Sequence, residues 1–171
     1  MHLVGNKIII RNFQEGDFDS FYRLVKNKRN HELSGMEYSE DINEAQHIFD
    51  RYLKLETSYC IALKDNSLMV GIIELNERGM TSGLELTREL GFIIEEKYRH
   101  QHIANEAVEL MIKYSFDELK LTELWAAAEK HNIAPQKLLV KQNFKYVYEA
   151  NQDFSILDNT DNLIEYYLLK R

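Results

Sequence analysis

Two neighbouring stretches hold the residues best placed for chemistry: Glu89-Leu90-Gly91-Phe92-Ile93-Ile94, and Arg99-His100-Gln101-His102-Ile103-Ala104. The first reads as a strand, and the second as a short loop that opens directly into a helix. Ile103, Ala107, Leu110, Met111 and Tyr114 recur at i, i+3, i+4 spacing, so the helix is expected to be one-faced. The first N–H groups of a helix lack intrahelical partners, and the macrodipole adds partial positive charge at that end. A strand and loop that feed such a terminus make an anion site, with phosphate as the natural guest. An ordinary strand-to-helix connection has the same pattern and needs no ligand. The histidines bear on the choice. Glycine lets a backbone approach phosphate at positive φ without cost, whereas a residue with a Cβ pays on the order of 1 kcal/mol there. In a helical or extended conformation His100 and His102 would keep their N–H donors, and their imidazoles would add charge. A metal at His100-x-His102 needs further ligands that no nearby segment supplies, so no metal is expected.

The elements that must position these residues follow from periodicity and turn chemistry. Lys7–Phe13 reads as a strand, and Asp17 as the cap of a helix with Phe18, Phe21, Leu24 and Val25 on one face. Asn30–Ser39 lacks periodicity and reads as a loop. Asn43 is a candidate cap for a helix bearing Ala45, Ile48, Phe49, Tyr52 and Leu53. Tyr59–Leu63 and Leu68–Leu75 read as strands joined at Asp65-Asn66. Glu77–Gly83 is the next turn, and Leu84–Ile94 returns as a strand. The Ile103–Leu119 helix, a Leu124–Ala128 strand and an Asn132–Gln142 helix come next. Strands Phe144–Tyr148 and Leu163–Leu169 then close the chain around the polar Asn151–Asn162 segment. The lone proline, Pro135, falls in a first helical turn, where a missing N–H costs little. Hairpins followed by βαβ units predict an α/β (α+β) fold: one mixed sheet with helices on both faces.

Composition narrows the possible partners. With 171 residues and 44% hydrophobic content the chain can bury one sizeable core, so residues 1–171 are expected to form a single domain. Apolar runs are too short to span a bilayer, the N-terminus lacks a signal-peptide pattern, and the single Cys60 suits a reducing compartment, so a cytoplasmic protein is expected. Cys60 lies in an apolar run, as a buried structural thiol would. The net charge of −7 disfavours nucleic acid and favours cationic partners.

The loop resembles the acetyl-coenzyme A loop of the GNAT acetyltransferase superfamily, (Arg/Gln)-x-x-Gly-x-(Gly/Ala). Arg99 and Ala104 match, while His102 stands at the glycine and His100 at a position where many members also have glycine. Glu89-Leu90-Gly91-Phe92 is similar to the strand of the branch that acetylates ribosomal-protein N-termini, and Glu106-Ala107 to its helix start. Asn132-Ile133-Ala134, Leu138-Leu139 and Phe144 fall where the family has Asn-x-Ala-Ser and Leu-Gly-Phe. Ile8-Ile9-Ile10-Arg11 and Asp17 resemble its opening strand and first helix. The resemblance thus covers nearly the whole chain.

What it implies is acetyl transfer from acetyl-CoA to a primary amine, the amine of a protein N-terminus or of a small molecule such as a polyamine or aminoglycoside. Backbone N–H groups of Gln101, His102, Ile103 and Ala104, with His100 and the charge of Arg99 beside them, would hold the pyrophosphate. Phe92, Ile93 and Ile94 would pair with the pantetheine arm as a strand does. In the family Asn132 hydrogen-bonds near the pantetheine; capping the following helix is its alternative role. Two acids of the family are replaced here, a serine by Pro135 and a tyrosine by Leu139, leaving Tyr146, Tyr148 or a water as proton donors. Glu89 is the first candidate for the base and Glu74 the second. For each, a surface strand carboxylate paired with a Lys or Arg is the plain alternative. The Asn30–Ser39 and Asn151–Asn162 segments are candidates for acceptor recognition. A rival expectation is a non-catalytic domain that binds acyl-CoA or a protein partner. Members of the family are monomers or homodimers, and no heptad pattern selects between them.

Overall fold

The centre of the fold is set by the strand Met69–Glu77, whose first five residues are all buried. Burial on both faces is what a strand in the middle of a covered sheet requires. The computed structural model describes residues 1–79, 83–151 and 163–171. Strands β1 (His2–Val4) and β2 (Ile8–Arg11) lead into helices α1 (Phe18–Val25), α2 (Lys28–Ser34) and α3 (Ile42–Tyr52). Strands β3 (Ser58–Leu63), β4 (Met69–Glu77) and β5 (Thr87–Ile94) follow, then helix α4 (Ile103–Asp117) and strand β6 (Glu123–Glu129). Helix α5 (Ile133–Lys141) precedes the final pair, β7 (Lys145–Asn151) and β8 (Leu163–Lys170). The strands form one eight-stranded sheet in the order β1-β2-β3-β4-β5-β6-β8-β7. Every neighbouring pair is antiparallel except β5 and β6, which are parallel and joined through α4. This is the mixed, mostly antiparallel sheet expected.

Each face of the sheet has its own core. Ile8, Ile73, Leu75, Leu90 and Leu124 pack with Ala107, Val108 and Met111 of α4 and Leu139 of α5. On the other face Cys60, Ala62 and Ile72 meet Phe21 and Leu24 of α1 and Ile48 and Phe49 of α3. Phe13 sits edge-on to Phe21, Phe49 and Tyr52, with ring centroids 6.2, 6.2 and 5.5 Å away. Cys60 is fully buried there, and burial pushes its thiol pKa up, with the charge of Asp17 acting the same way.

Several expectations about the first half need correction. Asp17 does not cap α1. Its carboxylate takes a two-pronged contact from the Arg11 guanidinium (2.7 and 2.8 Å) and accepts the Gln14 N–H, which pulls the chain across the end of β2. Asp41, and not Asn43, caps α3 by accepting from the N–H groups of Asn43 and Glu44. The expected Asn30–Ser39 loop is in part helix α2, whose polar sequence shows no apolar stripe. Capping defines it instead: Asn27 accepts from the Arg29 N–H, and Gly35 ends it in the left-handed conformation at φ 70°. Strand β1 was also absent from the periodicity. Of the Asn151–Asn162 segment, residues 152–162 lie outside those described, as do residues 80–82 of the Glu77–Gly83 turn.

Candidate active site

The pairing of β5 with β6 stops partway. The ladder runs from Thr87 opposite Glu123 to Leu90 opposite Ala126. Beyond it, Gly91–Ile94 stay paired with β4, and Ala127–Glu129 stay paired with β8. The two strands therefore splay, leaving a gap that opens towards the start of α4. Alternate residues of a strand turn their N–H and C=O to opposite edges. The Glu95 N–H bonds to the Val70 carbonyl at 2.9 Å, and the Ile93 carbonyl faces Gly71, so odd-numbered residues here point to β4. Phe92 and Ile94 consequently direct their backbone groups at the gap. Gly71 is required for this packing, since a Cβ there would run into the Ile93 carbonyl oxygen.

At the mouth of the gap the loop folds as the glycine pattern demands, although it lacks the glycines. His100 has φ 60° and His102 φ 66°. Both are in the left-handed region, at a cost of about 1 kcal/mol each. His102 adopts this conformation immediately before α4, and its carbonyl accepts the Glu106 N–H at 3.1 Å. The amides of Ile103, Ala104 and Asn105 have no acceptor among the described residues, so three first-turn donors face outward from a helix of 15 residues. Such a terminus carries the unpaired donors and partial positive charge that an anion site requires.

Arg99 serves the loop in a different way from a free cation. Its guanidinium donates to the Ile94 carbonyl at 3.0 Å and to the Asn30 side chain at 2.9 Å. Asn30 is buried and itself donates to the Leu24 carbonyl. Arg99 thereby clasps α2 to the end of β5, and α2 packs against both β5 and β6 across the gap. Two contacts at the loop are not marked by the sequence pattern. Lys7 reaches the Gln101 carbonyl with its ammonium at 3.3 Å. The Glu106 carboxylate accepts from the Asn6 and Lys7 N–H groups and fixes the start of β2 to α4. Beside the loop, an open groove of about 950 Å³ is lined by Arg23, Lys26, Lys28 and Lys97, with Glu95 and Glu96 among them.

The two candidate carboxylates share the α1/α3 face of the sheet, because Ile73, Leu75 and Leu90 occupy the other. Glu74 lies opposite Gly91, the first residue past the end of the β5–β6 ladder. It accepts from the Ser58 hydroxyl at 2.9 Å and the Asn76 amide at 3.3 Å. Burial of the nearby Tyr52 raises its phenol pKa, and the charge of Glu74 raises it further. Glu89 lies within the β5–β6 ladder, one step before its last pair and opposite Trp125, and it pairs with Arg78 at 3.5 Å.

The remaining expected residues fall on both sides of the sheet. The Asn132 side chain makes no capping hydrogen bond in α5, which it precedes directly. Pro135 lies in the first turn of α5, and Leu139 is wholly buried in the core. Tyr146 packs edge-on to Tyr167, and Tyr148 stacks on Tyr166 with centroids 4.7 Å apart. Among the described residues no helix is long and apolar enough to cross a membrane.

These features agree with what comparison finds. The acetyltransferase (GNAT) domain family matches residues 7–145. The chain is 22% identical over 151 residues to the uncharacterized N-acetyltransferase YnaD of Bacillus subtilis, covering 82% of this chain and 81% of that one. A GNAT-family acetyltransferase from Bacillus anthracis superposes with a TM-score of 0.84 at 18% identity, covering 99% of this chain and 98% of that one. The ribosomal-protein-S5-alanine acetyltransferase of Vibrio fischeri superposes with a TM-score of 0.78 at 15% identity, covering 99% and 96%. The family match over residues 7–145 makes this chain a member of the acetyltransferase (GNAT) family, N-acetyltransferases that draw their acetyl group from acetyl-CoA.

Proposed function

We propose that this protein transfers the acetyl group of acetyl-CoA directly to a primary amine bound on the α1/α3 face of the splayed strands. The observation that carries the reading is the left-handed conformation of both His100 and His102. The chain bears the cost of two Cβ-bearing residues at positive φ within three positions, directly before the uncapped amides of α4. The free amides of Ile103 to Asn105 and those of the loop serve the pyrophosphate, with Lys7 close by as a cation. Arg99 acts as a positioning residue that keeps α2 and β5 in place. Phe92 and Ile94 present backbone groups to the pantetheine amides, and Asn132 offers a side-chain amide across the gap.

The thioester then lies where the ladder ends, at Leu90 and Gly91, within reach of Glu74. The amine loses a proton to Glu74 through water, and its lone pair attacks the thioester carbonyl. The C–S bond breaks, and the second proton of the attacking nitrogen passes through water to the departing thiolate, leaving a neutral amide and the free thiol of coenzyme A. Glu89, engaged by Arg78, has the lesser claim to the base role. An acetyl-CoA titration followed by thermal unfolding tests the loop. A ligand that binds only the native state raises Tm with concentration, by about 2.7 kcal/mol of stabilisation at a hundredfold excess over Kd. The expected result is a saturable rise with acetyl-CoA and coenzyme A and none with a neutral thioester lacking phosphates. No rise at millimolar acetyl-CoA would rule out the cradle.

A further inference from the structure

We propose that the face of Trp125 is a seat for a second cationic group on the acceptor, and that Arg78 fills this seat until the acceptor arrives. The inference rests on the acyltransferase reading above and names the substrate class of that site as small amines carrying two positive charges. The Arg78 guanidinium carbon lies 4.0 Å from the centroid of the Trp125 ring. Its Nε lies 3.5 Å from Glu89. The indole is itself fixed: its N–H donates to Glu123 at 3.2 Å, and Glu123 is paired with Lys170 at 2.8 Å. That Lys170 contact, with help from the indole N–H and Arg78, lowers the Glu123 pKa and keeps it charged. Tyr148 closes a further side, with its ring 6.3 Å from Trp125 and stacked on Tyr166. The charge of Glu89 reaches Tyr166 as well, adding to burial in raising its pKa. An aromatic face with carboxylates on two sides is the arrangement that recognises cations.

Arg78 is loosely held for a side chain only 20% exposed. Among the described residues its donors make one ion contact and no hydrogen bond, and ion pairs and ring stacking of this kind are individually weak. It also belongs to no strand: it follows β4 and precedes Gly79, whose φ is 138°. The side chain can therefore turn away without disturbing the sheet. Glu89 and Glu74 occupy the same face, and Gly91, opposite Glu74, is two strand positions from Glu89, roughly 7 Å. A short diamine would span that distance, with one nitrogen at the thioester and the other over Trp125.

Trp125 is the only tryptophan in the chain, so its fluorescence reports the seat directly. The test titrates the protein and its Arg78→Ala variant with butane-1,4-diamine, with butylamine and butane-1,4-diol as controls and no acetyl-CoA present. The expected result is a saturable change with the diamine and little with the diol. Half-saturation should fall about tenfold or more in Arg78→Ala, and Arg78→Lys should fall between the two. Equal or weaker diamine binding by Arg78→Ala, or an equal response to the diol, would overturn the proposal. Should Arg78→Ala unfold, the same ordering between the unmodified protein and Arg78→Lys decides. Binding is read here without acyl transfer, so the seat and the transferase reading can fail separately.

Discussion

Replacing Glu74 with glutamine is expected to lower kcat for acetyl transfer about a hundredfold or more, the usual contribution of a positioned general base. Glutamine is nearly the same size: its one carbonyl oxygen can keep accepting from the Asn76 amide, while its NH2 donates to the Ser58 hydroxyl, which turns to accept. Acetyl-CoA binding should be unchanged, because the loop and the gap-facing backbone of β5 are untouched. The choice of Glu74 follows from where the strands separate. It faces Gly91, the first position with no partner on β6, whereas Glu89 is beside a residue of β6 and tied to Arg78. Glu89→Gln should therefore raise the acceptor KM more than it lowers kcat. Steady-state kinetics of both variants separate the roles. Unchanged turnover in Glu74→Gln with a steep fall in Glu89→Gln would reverse the assignment.

Replacing Asp17 with alanine is expected to cost about 3–5 kcal/mol of stability, the penalty for breaking a buried ion pair by removing one partner. The Arg11 and Asp17 side chains are only 8% and 6% exposed. Without Asp17 the Arg11 guanidinium still cannot shed its charge; in the native protein its hydrogen bonds to Asp17 raise its pKa further. The carboxylate also accepts the Gln14 N–H, which the variant strands at the entrance to α1. Chemical denaturation should show a large drop in the midpoint. A loss below 1 kcal/mol would mean that water or a rearranged backbone satisfies Arg11. Such a drop would also reach the site indirectly, because α1 and α3 pack over the face that carries Glu74.

How much of this could be read from the sequence depended on the kind of signal each residue gives. The strands around the gap and helix α4 are marked by apolar periodicity, so their order and approximate bounds were legible. The loop at 99–104 was legible through its place between a strand and a helix, but whether His100 and His102 would accept positive φ was not, because tertiary contacts override a residue's own preference. Helix α2 gave no apolar stripe. It is held by the Asn27 cap, the Gly35 terminus and the Arg99–Asn30 clasp, and only the caps are local. Arg78 and Trp125 are 47 positions apart by number, and their contact depends on β6 lying parallel to β5, which single-strand patterns do not specify. The proposed preference for Glu74 over Glu89 rests on a feature of the same kind: the point where a ladder ends is a property of two strands, and neither strand's sequence marks it.

The most direct test of the account is release of free coenzyme A from acetyl-CoA by the purified protein with butane-1,4-diamine, with the product identified by mass spectrometry. The account predicts acceptor-dependent release, one acetyl group added per coenzyme A freed, and a rate at least a hundredfold lower in Glu74→Gln. Saturable acetyl-CoA binding with no acetylated product from any primary amine, diamine or peptide N-terminus, would contradict it and leave a domain that binds the thioester without using it.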